Sequence, residues 1–151
     1  MGLYIQSDEY FMDQALKEAQ KAFEQGEVPV GAVLVSHGQI IARASNQTEL
    51  LNDVTAHAEM LSITAGADHI GGKYLRDCSL YVTLEPCPMC AAALRWAQLG
   101  RLIYGAEDPK NGYMRFGNEL LHPQTQVLYG IKRDECSALM TIFFKQIRER
   151  G

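Results

Sequence analysis

Cys78-Ser79-Leu80-Tyr81-Val82-Thr83-Leu84 runs directly into Glu85-Pro86-Cys87-Pro88-Met89-Cys90. The first seven residues form a β-rich apolar run, and Met89 to Leu99 is a helix-forming stretch that Gly100 stops. Working towards the N-terminus, Thr55 is placed to cap a helix from Ala56 to about Ala67, with Gly66 and the Gly71-Gly72 pair closing it. Val30 to Val35 and Ile40 to Ala44 flank His37-Gly38 as a β-hairpin. Ser7 followed by Asp8 and Glu9 starts a helix whose apolar positions Phe11, Met12, Ala15, Leu16, Ala19, Ala22 and Phe23 recur at helical spacing up to Gly26. Towards the C-terminus, Leu102 to Tyr104 and Gln126 to Tyr129 read as strands. Residues 105–124 between them read as a long surface loop with at most one helical turn. Asp134 to Arg150 is a last helix, with Cys136, Leu139, Met140, Phe143, Phe144 and Ile147 expected inward. Helices alternating with buried strands imply a layered α/β/α domain.

The 151 residues suit one domain, 1–151, able to bury about 70% of its unfolded surface. No repeat or linker divides it. No apolar run nears the ~20 residues of a membrane helix. Met1 to Gln6 lacks the basic region and apolar core of a signal peptide, so the expected address is the cytoplasm. A net charge of −4 argues against a protein that coats nucleic acid through bulk electrostatics. Residues 101–151 nevertheless carry 8 basic against 6 acidic groups, whereas residues 1–100 carry 6 against 12. An RNA surface would therefore be local and would lean on the C-terminal third.

Of the four cysteines, Cys78 and Cys136 lie in apolar stretches and read as small buried residues. Cys87 and Cys90 differ. Pro88 suits the first turn of a helix, and places the two cysteines three apart on one face. Their sulfurs can then close to the ~3.8 Å that two thiolates on one tetrahedral zinc require. The positive end of the helix dipole favours thiolates there. The pair alone fits a redox dithiol equally well. His57-Ala58-Glu59 shifts the balance, because His57 completes three ligands and Glu59 remains an unligated carboxylate. Three protein ligands with an open fourth position is the catalytic pattern for zinc. Two thiolates and a neutral imidazole cancel the ion's charge, so such a site acidifies water less than three histidines would. A nearby base compensates, and Glu59 can move protons between water, a ring nitrogen and a departing amine. His37, His69 and His122 have no partner motif and read as surface or loop histidines.

His57-Ala58-Glu59 with Pro86-Cys87-Pro88-Met89-Cys90 resembles the zinc-dependent cytidine/nucleotide deaminase superfamily. Over roughly residues 8–149 the likeness is to its bacterial tRNA-specific adenosine deaminase branch. It is carried by Glu27 to Val35, Thr55 to Glu59, Leu80 to Cys87, Leu120-Leu121-His122-Pro123 and Asp134 to Leu139. The resemblance implies a three-layer α/β/α sandwich around a mostly five-stranded mixed sheet. It implies one Zn2+ per chain, adenosine-to-inosine conversion at the wobble position of a tRNA anticodon, and a homodimer whose subunits share the RNA surface. Residue by residue, it makes Glu59 catalytic and His57, Cys87 and Cys90 metal ligands. It places Asn46, Ala58, Pro86, Asp108 and Lys110 at the substrate. After Gly112 that branch usually continues with small residues. Here Tyr113-Met114-Arg115-Phe116 follows, bulk that would either stack on bases or narrow the groove. Two rivals stand beside this reading. One is a free-base or nucleoside deaminase acting on guanine or cytosine with the same metal site. The other is a non-catalytic zinc scaffold or CxxC redox protein.

Overall fold

A computed structural model describes residues 7–150; the reading of Met1 to Gln6 lies outside the described residues. Helix α1 (Asp8–Glu24) starts as the sequence predicts, with the Ser7 hydroxyl accepting from the Tyr10 N–H. Strands β1 (Gly31–Ser36) and β2 (Gln39–Ser45) form the hairpin. His37 and Gly38 both take positive φ, the geometry a two-residue turn between twisted strands demands. Then come α2 (Ala58–Ile70), β3 (Cys78–Leu84), α3 (Pro88–Ala97), β4 (Arg101–Ala106), β5 (Gln126–Tyr129) and α4 (Arg133–Arg150).

The five strands make one mixed sheet, ordered β2-β1-β3-β4-β5. β1 is antiparallel to both neighbours, and β3, β4 and β5 run parallel. Strand alternation sorts the core into two layers. Ala32, Leu34, Leu80, Val82, Leu102 and Tyr104 pack with Ala58, Ala91 and Leu94 of α2 and α3. Val33, Val35, Tyr81 and Ile103 pack with Phe11, Met12, Ala15 and Cys136 of α1 and α4. This is the expected three-layer sandwich, and Cys78 and Cys136 are buried in it as read.

Gly31 lets α1 lie against the sheet, since a Cβ there would sit 2.1 Å from the Ala15 carbonyl oxygen and 2.2 Å from the Ala19 nitrogen. Both obstacles are backbone, so neither can rotate away. Gly31→Ala should cost about 3 kcal/mol, the upper end for overpacking, and lower the urea midpoint at unchanged slope. An unchanged midpoint would show that α1 moves freely on the sheet.

Four expectations need correction. Thr55 does not cap α2; its N–H and hydroxyl both donate to Asp53 Oδ1, in a turn that ends before the helix. The cap residue is His57. Helix α3 stops at Gln98, which takes the left-handed conformation. Gly100 instead serves close packing, 2.2 Å from the Arg76 carbonyl oxygen at the Cβ position. Residues 105–124 hold two 3-10 turns, Tyr113–Arg115 and Asn118–Leu120, and are not wholly a surface loop, because Tyr113 and Leu121 are buried in the core. On α4 only Cys136 and Phe143 are buried, while Phe144 and Ile147 are 41% and 45% exposed.

Candidate active site

The strand-to-helix turn after β3 and the start of α2 bring the ligand types together. His57 is the N-cap of α2 and Cys87 the N-cap of α3, with Pro88 in the first turn as its missing N–H allows. Neither cap side chain bonds its own helix. His57 Nδ1 instead lies 3.7 Å from Cys87 Sγ and 3.4 Å from Cys90 Sγ. All three ligand atoms lie within 4.8 Å of one another. Tetrahedral zinc with Zn–S of ~2.3 Å and Zn–N of ~2.0–2.1 Å separates S from N by about 3.6 Å. The trio fits zinc.

The electrostatics point the same way. The Cys90 thiol, and after it His57, hold the Cys87 thiol down to about 4 against the cost of burial. Cys90 is pushed far up, first by its bond to Cys87 and then by burial. The metal-free pair thus favours one thiolate and opposes the second, a conflict that a divalent cation between the sulfurs removes. Both helices point their positive N-terminal ends at this spot. His57 is raised, chiefly through Cys87, while burial works against it.

Glu59 sits in the first turn of α2, 4% exposed. Burial pushes its carboxyl up to about 7. A carboxyl balanced there gives and takes a proton near neutral pH.

His57, Cys87 and Glu59 open onto a cleft of about 980 Å³. Asn46, His57, Glu59, Cys87, Asp108 and Lys110 all line it, as six of the nine residues singled out in the sequence. Cys90 is buried behind Cys87. Ala58 and Pro86 are buried too, and each makes a main-chain hydrogen bond. The Ala58 N–H donates to Asn46 Oδ1 at 2.8 Å, so Asn46 supplies the cap that His57 does not. The Pro86 carbonyl accepts from the Tyr113 N–H at 2.9 Å. Of the histidines without a motif, His37 and His69 are exposed and His122 is half-buried, its Nδ1 accepting from the Gln124 N–H.

The sequence reading missed three groups of residues. Met140, Phe144 and Ile147 of α4 form a cleft wall; six apolar positions on one helix, more than a single core stripe holds, was the available signal. Val28, Val30 and Leu84 line the cleft from the sheet side. Glu27 and Glu85 are buried carboxylates, each next to an apolar run.

Residues 5–106 match the model of the cytidine and deoxycytidylate deaminase zinc-binding region. The tRNA-specific adenosine deaminase of Bacillus subtilis (strain 168) is 43% identical over 148 residues, covering 95% of this chain and 92% of that protein. A structure solved in a study of A-to-I editing by tRNA:A34 deaminases is 45% identical with a TM-score of 0.81. It covers 86% of this chain and 98% of its own. A guanine deaminase from Bacillus subtilis is 39% identical over 68% of this chain and 66% of its own, with a TM-score of 0.65. Since the family match spans about two thirds of the sequence and includes the trio, the chain belongs to the cytidine and deoxycytidylate deaminase family, whose zinc is held here by His57, Cys87 and Cys90.

Proposed function

We propose that this deaminase converts adenosine to inosine at the wobble position of a tRNA anticodon. The observation that carries the proposal is the size of the cleft and the reach of its lining. Glu59, Asp108, Lys110, Phe144, Ile147 and Arg148 all line it, and its ~980 Å³ lies at the top of the range for small-molecule pockets. A flipped base can reach Glu59 while the neighbouring nucleotides lie along the loop and α4. Unstacking costs a few kcal/mol, least in a loop that is already unpaired.

Zinc, when bound, supplies the Lewis acidity that brings a water's proton within reach of a carboxylate. Glu59 takes that proton and delivers it to N1 of the adenine ring as the water oxygen joins C6. It then carries the water's second proton to the departing amine. Ammonia leaves, C6 keeps the oxygen, and the Glu59 carboxylate is restored. Asn46, fixed at Oδ1 by the Ala58 N–H, contacts the nucleoside. Asp108 and Lys110 meet the anticodon strand. Ala58 and Pro86 belong to the substrate set through their main chain, as the seats of Asn46 and of the 107–114 loop.

The proposal takes residues 1–151 as one deaminase domain, supported by a single sheet with both faces covered. No helix among the described residues is long and apolar enough to cross a membrane. The cytoplasm, which keeps thiol ligands reduced, is its expected place. The active unit is a homodimer, supported by large apolar side chains left on the surface: Leu50, Leu51, Val54 and Trp96, the last 82% exposed. Trp96→Glu should therefore halve the mass in sedimentation equilibrium at micromolar concentration. An unchanged mass would remove α3 from the interface.

Sequencing of tRNA after incubation with the purified protein tests the activity, with inosine expected at anticodon position 34. The likeness to a guanine deaminase supports free guanine as the second reading. Ammonia release from guanine with no inosine in tRNA would replace the first reading with the second.

A further inference from the structure

Glu27 and Glu85 are buried to 1% and 5% exposure, and among the described residues neither has a lysine or arginine ion pair. Each carboxylate instead receives two backbone N–H groups from one loop of the cleft. Glu27 Oε1 accepts from the Glu49 N–H at 3.0 Å and Oε2 from the Leu50 N–H at 2.8 Å, and the Thr48 hydroxyl adds a third bond to the carboxylate, the second at Oε1. Glu85 Oε1 accepts from the Asp108 N–H and Oε2 from the Met114 N–H, both at 3.0 Å. The first loop carries Asn46 and Thr48 on the cleft and leads into His57; the second carries Asp108, Lys110 and Asn111. Glu85 itself lies two residues before Cys87.

Burying a carboxylate without a cation is costly, and an apolar residue would fill the same space more cheaply. What the carboxylate adds is two acceptors and no donor. Glutamine has the same length, but whichever way its amide turns it meets one of the two N–H groups with a donor of its own. Charge-assisted bonds from the loop offset the burial and hold both loops to the metal-bearing framework. Gly112 belongs to the same device, because a Cβ there would lie 2.0 Å from Glu85 Oε2.

From this pairing we infer that Glu27 and Glu85 are positioning residues that preset the two rims of the cleft, so that the substrate strand meets Asn46, Asp108 and Lys110 already in place. The inference deepens the tRNA reading and rests on it. Its consequence falls on substrate binding and spares the chemistry at Glu59. Loops left to find their place lower the fraction of binding-ready protein, which raises KM.

The test is steady-state kinetics of the zinc-loaded dimer on a synthetic anticodon stem-loop. Glu27→Gln and Glu85→Gln should each raise KM roughly tenfold or more, the scale of one lost hydrogen bond to a charged group, with kcat within about threefold and one zinc per chain. Gly112→Ala disturbs the Glu85 contact from the loop side and serves if Glu85→Gln fails to fold. Combined, Glu85→Gln and Gly112→Ala should raise KM by clearly less than the product of the two single effects, since both disturb the Glu85 contact while Gly112→Ala also crowds the Asp108 carbonyl. A fall in kcat at unchanged KM, wild-type behaviour in all variants, or multiplied effects in that double variant would overturn the inference. Should wild type act on free guanine and leave the stem-loop untouched, the tRNA reading fails by itself. The same KM and kcat comparisons on guanine then decide the role of the two carboxylates.

Discussion

Glu59→Ala is expected to keep about one zinc per chain while deamination falls at least ~100-fold, the lower bound for losing a positioned acid–base group. Zinc should stay because Glu59 is absent from the trio whose ligand atoms lie within 4.8 Å of one another. The rate should fall because no other carboxylate lining the cleft is free to replace it. Glu85 is held by two backbone N–H groups, Glu107 is paired with Arg133, and Asp108 Oδ1 accepts from the Asn111 N–H. Metal analysis and an ammonia assay on the same sample check both halves. Near-normal activity in this variant would remove Glu59 from the mechanism.

His57→Ala should have the opposite signature, with zinc lost and activity lost along with it. The change deletes Nδ1 from 3.4 and 3.7 Å of the two sulfurs and withdraws one of the partners that favour the Cys87 thiolate. Losing an outer partner of a metal ligand already weakens binding 10–100-fold, so losing a ligand should cost at least about 100-fold in zinc affinity. Stability gives an independent readout. Zinc at 100 times the wild-type dissociation constant should add about 2.7 kcal/mol to the folded wild type. At the same zinc concentration His57→Ala should gain less than about 0.5 kcal/mol. Denaturant unfolding with and without zinc measures the difference, and equal stabilisation of both proteins would exclude His57 as a ligand.

Features set within a few residues could be read from the chain. Ser7 capping α1, the His37-Gly38 turn and Pro88 opening a helix each depend on chemistry inside one turn of backbone. Val30 to Val35 was equally legible as a strand, whereas the sorting of Ala32 and Leu34 from Val33 and Val35 onto opposite faces is seen in the folded sheet. The donor types of the zinc site were legible too, although the cysteine pair at spacing three suits a redox dithiol equally well and only His57, 30 residues from Cys87, turns the reading to zinc. Thr55 shows where local reading fails. Its hydroxyl suits a helix cap, but Asp53, two residues away, claims it. The true helix start gives its cap side chain to the metal and borrows Asn46 from 12 residues upstream.

By itself the sequence determined most of the elements, the layered α/β/α class and the trio His57, Cys87 and Cys90 for the zinc. Periodicity is set by neighbouring residues, and donor chemistry by residue type. Tertiary structure alone decided that Tyr113 goes into the core, that Phe144 and Ile147 face the cleft, and that Glu27 and Glu85 grip its two loops. Each of those outcomes depends on which surface or N–H group a distant segment presents, and only the folded sheet brings the segments together.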